Sequence, residues 1–376
     1  MDFGLNDDQE MLARYARDFL TNEAPSAFVR EQMDSPTAHD PAFYQKMAGL
    51  GWMGIAIGET YGGQGMSYVD VAVLVEEMGR ALVPGPFFST VCLATPLIVE
   101  AGSEEQKAKL LGDIAAGQRI ATVAYTEPNA RLDAAGVQLA AIPDGDGYTL
   151  RGTKSFVPDA HVADTLIVAA RTSGDGITLF VVDAAATQIA QLKTMDMTRR
   201  WCDVTFDDVK VGRDAVMGEV DGGWAPLETA LQRSMAMICA ESVGGAQKVL
   251  DMSVEYSKVR VQFGRPIGSF QAVKHKCADM LVDVEMARSA MYYAAWAASG
   301  DSPEVVGELP LAASVAKAYC GDAYSRVALT GILVHGGIGF TWEHDLHLYY
   351  KRAKANELFL GDPVHHRGSV AALIAT

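Results

Sequence analysis

Apolar residues recur every three or four positions through residues 6–22, 40–50, 68–82, 89–101 and 104–117. That spacing puts them on one face of a helix, so the chain up to about residue 118 is predicted to be helical. Asn6 followed by Gln9 has the form of a capping box and marks the start of the first helix. The loop Gly58-Glu-Thr-Tyr-Gly-Gly-Gln-Gly65 separates two of these helices.

The period changes between about 119 and 215. Short runs of β-branched and apolar residues follow one another: RIATVAYT, GVQLAAI, YTLRGTKSFV, DTLIVAAR, ITLFVVD and DVTFDDVKV. The turn clusters Pro143-Asp-Gly-Asp-Gly147 and Ser173-Gly-Asp-Gly176 punctuate them. Six strands with no helices between them predict an antiparallel barrel or sandwich rather than a parallel βαβ sheet. From about 223 the helical period returns in long segments, near 223–260, 268–299, 309–334 and 343–360. Joined by short loops, these predict an antiparallel four-helix bundle. Gly361 can stop the last of them, and Asp362 with Pro363 behind it can cap the next helix. The fold class is α+β and multidomain, with expected domains at 1–118, 119–218 and 219–376.

Composition narrows the function. The chain has 376 residues, 49% hydrophobic and 21% charged, which suits a folded protein with sizeable cores. Its net charge of −16 repels phosphate backbones, so nucleic acid is not an expected partner. No apolar run reaches the roughly 18 residues of a membrane helix, and membrane insertion is not expected. The first residues have neither the basic nor the apolar region of a signal peptide. The five cysteines are scattered and form no CxxC pair, so no disulfide framework or zinc site is expected. These features predict a cytoplasmic enzyme.

Glu241 is the only charge between Ser234 and Gln247. On a helix it shares a face with Ser234, Ile238, Ser242 and Gly245. Such a carboxylate is either a general base whose pKa is raised by burial or half of an ion pair with an Arg or Lys on a neighbouring helix. Small residues around it (Ser234, Ser242, Gly244, Gly245) are expected to leave room for a branched or cyclic chain. Arg260-Val-Gln-Phe-Gly-Arg-Pro-Ile-Gly-Ser-Phe-Gln271 interrupts the helices. It offers either a phosphate-binding arginine with an aromatic neighbour or an ordinary helical hairpin with a Gly-Pro turn. His335-Gly-Gly-Ile-Gly-Phe-Thr341 is either a backbone open to a phosphate or a simple turn. Thr126, in Ala124-Tyr-Thr-Glu-Pro-Asn129, can face a heterocycle or cap a turn. His344 and His347 form HxxH without an evident third ligand, and no metal is expected. There is no GxSxG or Walker sequence.

Taken in order, GIAIGETYGGQG, YTEP, GTKSFVPDA, YSKVRVQFGRPIGSFQAVKHKCADM and HGGIGFTWEHDLHLYYKRA resemble the acyl-CoA dehydrogenase family of flavoproteins. The resemblance covers nearly the whole chain, and its last two segments are long and specific. It implies an N-terminal helical domain, a middle β-domain and a C-terminal four-helix bundle. FAD would lie between the β-domain and the bundle, its far end reaching a neighbouring subunit. The implied reaction converts an acyl-CoA thioester to a trans-2-enoyl-CoA. In it a carboxylate takes the α-proton, and flavin N5 accepts hydride from the β-carbon. An electron-transfer flavoprotein is the implied electron acceptor. The implied assembly is a homotetramer or an α2β2 heterotetramer, with a place in fatty acid or steroid degradation.

Position by position, the resemblance places Thr126 at the flavin pyrimidine and Phe156 where a ring-packing Trp usually stands. Arg260, Gln262 and Phe263 match flavin-contacting positions, with Arg260 on the pyrophosphate of the adjacent subunit's FAD. Gln271 matches a further position near that cofactor, and Gly336 and Gly337 match glycines at its adenosine end. Three positions depart from the pattern. Leu132 replaces a serine after TEP, Pro158 replaces a flavin-bonding Thr, and Leu333 replaces a Gln that contacts FAD. The usual base, in Tyr-Glu-Gly-Thr, is replaced by Leu360 in Phe359-Leu-Gly-Asp362. A second group of members places the base where this chain has Ser234. Glu241 lies seven residues on, two turns along the same face, and a glutamate there recurs in bacterial relatives acting on bulky or unusual acyl-CoAs. The resemblance therefore points to Glu241 as the base, with Asp362 as the alternative. Two other readings stand beside it: a subunit of an α2β2 pair with an incomplete site, and a non-catalytic acyl-CoA- or flavin-binding scaffold.

Overall fold

The computed structural model describes residues 4–300 and 302–375. Six helices come first: α1 (Asp7–Glu23), α2 (Ser26–Asp34), α3 (Pro41–Gly49), α4 (Tyr68–Ala81), α5 (Thr95–Ala101) and α6 (Glu104–Ala115). Eight strands follow: β1 (Ala121–Ala124), β2 (Ala140–Asp144), β3 (Gly147–Pro158), β4 (Thr165–Ser173), β5 (Gly176–Asp183), β6 (Gln188–Gln191), β7 (Trp201–Val211) and β8 (Val216–Met217). Then come α7 (Trp224–Val259), the hairpin β9 (Val261–Gln262) and β10 (Arg265–Pro266), α8 (Gln271–Ser299), α9 (Pro303–His335), α10 (Leu346–Leu358) and α11 (Pro363–Ile374). This is the helix, sheet, helical-bundle order expected of the α+β class. Among the described residues, no helix is long and apolar enough to cross a membrane.

Local chemistry accounts for the boundaries. Asn6 and Gln9 form the reciprocal capping box that starts α1. Asp362 accepts from His365 N at 2.7 Å and caps α11, with Pro363 at its first position. Helix α9 starts earlier than periodicity alone indicates, because Ser302 caps it and the helix continues through Pro310. Helix α2 is an element the apolar pattern does not mark. Before α5, Phe88–Ala94 forms wider π-type turns.

By contact the chain forms two compact units. One holds the described residues up to Arg30, Tyr68–Val83 and those from Met235 on; the other holds Glu31–Ser67 and Pro84–Ser234. In the second, one sheet runs in the order β6-β7-β3-β2-β4-β5-β8, with β1 beside β4. Its pairings are mostly antiparallel, but β1 and β2 both run parallel to β4. The wholly antiparallel expectation misses these pairs because β1 and β2 both approach β4 after long connections, not tight hairpins. Leu150, Leu166, Val168, Phe180, Val204 and Phe206 fill the sheet's core.

In the first unit, Met280, Val284, Ala287 and Met291 form the buried stripe of α8 at helical spacing. Helices α4 and α7 meet backbone to backbone. A Cβ on Gly244 would lie 1.8 Å from Glu76 O, and one on Gly79 would lie 2.1 Å from Glu241 O. A Cβ on Gly245 would lie 2.2 Å from the Tyr324 hydroxyl. The small residues near Glu241 therefore admit α4 and Tyr324. Gly244 and Gly245 are thus not a source of the space expected for a branched or cyclic chain.

Candidate functional site

Glu241 is buried in mid-α7, 5% exposed. Its Oε1 accepts from Arg352 Nη1 at 2.7 Å and from Asn356 Nδ2 at 3.1 Å. Both donors come from one face of α10, a turn apart. Arg352 is itself 1% exposed, so the ion pair is desolvated on both sides. Asn356 also donates to Ser242 Oγ at 3.2 Å. Its Oδ1 is buried and accepts no hydrogen bond among the described residues. Of the two sequence-level readings of Glu241, the structure supplies the ion-pair partner, and it also fixes the carboxylate in one orientation.

Asp362, the alternative carboxylate, is engaged as the cap of α11. Leu360, at the usual base position, is buried with φ +61°. The turn it belongs to is held by two groups that the sequence reading does not single out. Lys317 donates to Glu357 O at 3.0 Å and to Gly361 O at 2.7 Å. His366 Nε2 donates to Leu360 O at 2.8 Å. Burial pushes the Lys317 ammonium down to about 8 and the His366 ring down to about 4. A signal for Lys317 exists: it is the only charge between Glu308 and Asp322, the same pattern that marks Glu241.

The cofactor candidates of the first unit sit around one end of the bundle. Between β9 and β10, Phe263 and Gly264 form a two-residue turn with φ of +53° and +77°. Such a turn wants positive φ at both central positions, which a phenylalanine adopts only under strain. Phe263 is 92% exposed, edge-on to Phe270 at 6.1 Å. The Arg260 side chain is exposed and makes no hydrogen bond or ion pair among the described residues. Gln262 and Gln271 are exposed as well. Tyr256, a turn before Arg260, stacks on His335 at 4.3 Å, which brings the glycine loop to the same end. A Cβ on Gly336 or Gly337 would meet nothing within 4 Å, and Gly336 has φ +67°. An unpaired guanidinium, an exposed ring and open backbone on segments that meet through Tyr256 and His335 suit an anionic, aromatic ligand.

In the second unit, Thr126 follows β1. Thr126 Oγ1 donates to Ser155 O at 2.5 Å, and Ser155 N donates to Thr126 O at 2.9 Å. Phe156 is exposed with φ +53°, where the β3–β7 register shifts between Lys154 and Val157. Below it lies a pair absent from the sequence reading. Lys154, fully buried, donates to Glu127 Oε1 at 2.6 Å and to Tyr125 O at 3.1 Å. Burial pushes Lys154 down to about 8 despite the carboxylate. At the departing positions, Leu132 is half-buried, Pro158 is buried and Leu333 is exposed. His347 donates to Trp342 O at 3.1 Å, and no group of three or more His, Cys, Asp or Glu among the described residues is placed to hold a metal ion.

Three family profiles match the chain: the acyl-CoA dehydrogenase N-terminal domain over residues 6–118, its middle domain over 122–209 and its C-terminal domain over 221–374. The acyl-CoA dehydrogenase IpdE2 of Mycolicibacterium smegmatis is 34% identical over 361 residues, 96% of each chain. The butyryl-CoA dehydrogenase structure from Megasphaera elsdenii superposes with a TM-score of 0.92 at 29% identity, covering 100% of both chains. The ChsE4–ChsE5 complex from Mycobacterium tuberculosis gives a TM-score of 0.90 at 27% identity, over 100% of this chain and 99% of that one.

Proposed function

The chain belongs to the acyl-CoA dehydrogenase family of FAD flavoproteins, and from that premise we propose that Glu241 is the base in its FAD-dependent conversion of an acyl-CoA thioester to a trans-2-enoyl-CoA. The observation behind this reading is the single fixed carboxylate in an otherwise uncharged stretch of α7. Glu241 takes the α-proton. Arg352 and Asn356 hold its oxygen in place, so little orientational freedom is lost at transfer. FAD, when bound, supplies the acceptor for the hydride that leaves the β-carbon. Arg260 would hold the pyrophosphate of the adjacent subunit's FAD, with Gly336 and Gly337 at the adenosine end. Gln262, Phe263 and Gln271 would line the same surface, and Thr126 and Phe156 would contact the ring system.

The wider reading has four further parts: a cytoplasmic enzyme, tetrameric, serving fatty acid or steroid degradation, and passing electrons to an electron-transfer flavoprotein. In this reading the chain divides into domains at 1–118, 119–218 and 219–376. Glu241→Gln keeps the shape of the side chain and removes the base, but it also leaves the buried Arg352 charge unpaired, so thermal unfolding is measured beside turnover to separate lost chemistry from a lost fold. The purified variant should bind FAD and lose about 10²–10⁴-fold in dye-linked turnover, the usual worth of a general base. Full activity in that variant would overturn the assignment. Asp362→Asn should keep activity, because that side chain caps a helix.

A second reading makes the chain one subunit of an α2β2 dehydrogenase. It is favoured by Leu360, buried at the usual base position, and by the replacements Leu132, Pro158 and Leu333. The similar ChsE4–ChsE5 structure is a complex of two different chains. Purification alone decides: near-stoichiometric flavin with turnover would exclude this reading, and turnover would also exclude a non-catalytic scaffold.

A further inference from the structure

Three consecutive residues of β3 treat the Tyr125–Glu127 loop in three ways. Lys154 reaches beneath it and bonds both residues that flank Thr126, Tyr125 through its carbonyl and Glu127 through its carboxylate. Ser155 bonds Thr126 itself twice, once to its backbone and once to its hydroxyl. Phe156 turns outward at a left-handed φ and exposes its ring beside the loop.

The carboxylate adds a second tie. Glu127 Oε1 also accepts from Gln138 N and Leu139 N, each at 2.8 Å. One oxygen therefore gathers the end of β1, the floor of β3 and the approach to β2. Lys154 is 0% exposed and Glu127 7%, so this is a desolvated ion pair. Such pairs seldom stabilise a fold more than an apolar pair of the same size. What they impose is geometry: the ammonium satisfies two acceptors only if the loop keeps one course. Phe156, with its strained φ, directly follows Lys154 and Ser155, the two residues bonded to this loop, and strain of that kind persists only where the surroundings over-determine it.

We propose that the Glu127–Lys154 pair is the positioning device of the loop that presents Thr126 and Phe156, and that it governs how tightly and in what surroundings the flavin ring is held. The inference rests on the reading that Thr126 and Phe156 contact the flavin. Glu127 and Lys154 act through those two residues.

The test uses the full-length chain. FAD affinity is measured by flavin fluorescence, the bound flavin's environment by its visible absorption band, and the fold by thermal unfolding of the FAD-free protein. The double variant Glu127→Gln/Lys154→Met removes both charges together and should unfold near the wild-type temperature. It should bind FAD at least about tenfold more weakly, the factor that 1.4 kcal/mol represents, with an altered visible band. Wild-type affinity and spectrum in that folded variant would overturn the proposal. If the double variant does not fold, Glu127→Asp, which keeps both charges and shortens the reach of the carboxylate, carries the same readouts. Thr126→Ala and Phe156→Ala separate the two levels. If both bind FAD as wild type does, the contact reading fails and the proposal fails with it. If they weaken FAD while the charge-pair variants do not, the contact reading stands and the positioning role is refuted.

Discussion

Arg352 donates to Glu241 across two helices, Nη1 to Oε1 at 2.7 Å, with both side chains almost wholly out of water. Breaking such a pair from one side costs far more than the pair itself is worth, because the remaining charge is left in a poor solvent. Arg352→Met should destabilise the chain by roughly 3–5 kcal/mol. Adding Glu241→Gln to it should recover most of the loss. Urea unfolding of the two variants checks this. It reads stability alone and holds whether or not Glu241 is the base.

His366 gives the fold an acid limb. Its folded pKa is depressed to about 4 by burial, below the roughly 6.5 of an exposed imidazole. Between those values the unfolded chain binds more protons than the folded one, so stability rises with pH. Stability should therefore fall as pH drops from about 6.5 to 4, by up to roughly 3 kcal/mol from this residue. The cause is burial: the ring is 1% exposed, and its loss of hydration outweighs the hydrogen bond to Leu360 O, which acts in the opposite direction. Unfolding curves across that range should be flatter in His366→Gln than in wild type. An equal slope in both would refute the assignment.

Much of this architecture is legible in one dimension because its causes are local. The periods of three to four and of two, the Asn6–Gln9 box and the Asp362 cap each depend on neighbours within a turn. What is not legible depends on residues far apart. That Glu241 is buried can be read from the lone charge in SMAMICAESVGGAQ, but its partner lies 111 residues on, and nothing local distinguishes Arg352 from other arginines. Gly244 and Gly245 show the same limit. A small residue signals either empty space or a close neighbour, and only the course of α4 and the place of Tyr324 decide for the neighbour. The parallel placing of β1 and β2 beside β4 is likewise a property of the whole sheet.

The glycines divide into two kinds with opposite expected behaviour. A methyl group on Gly244 would collide with the Glu76 carbonyl, which belongs to a helix backbone and cannot swing aside. Gly244→Ala should cost upwards of about 3 kcal/mol or prevent folding, as overpacked cores do. A methyl group on Gly337 meets nothing within 4 Å. Gly337→Ala should leave stability within about 0.5 kcal/mol, the range of ordinary surface changes. If the backbone there approaches FAD, the same variant should weaken cofactor binding. Chemical unfolding and FAD titration on the two proteins test both halves.

Phe263 occupies a turn position that favours glycine or asparagine, and its ring is almost fully exposed. Neither its backbone nor its burial gives the fold a reason to keep it. Phe263→Gly should relieve left-handed strain of order 1 kcal/mol, offset in part by the greater freedom of glycine in the unfolded chain. Phe263→Asn should keep the turn with less of that offset. Both variants should fold at least nearly as well as wild type, and both should hold FAD more weakly if the ring lies against the cofactor. A variant that unfolds several degrees lower would show that the ring supports the hairpin. Unchanged FAD affinity in a stable variant would remove Phe263 from the cofactor surface.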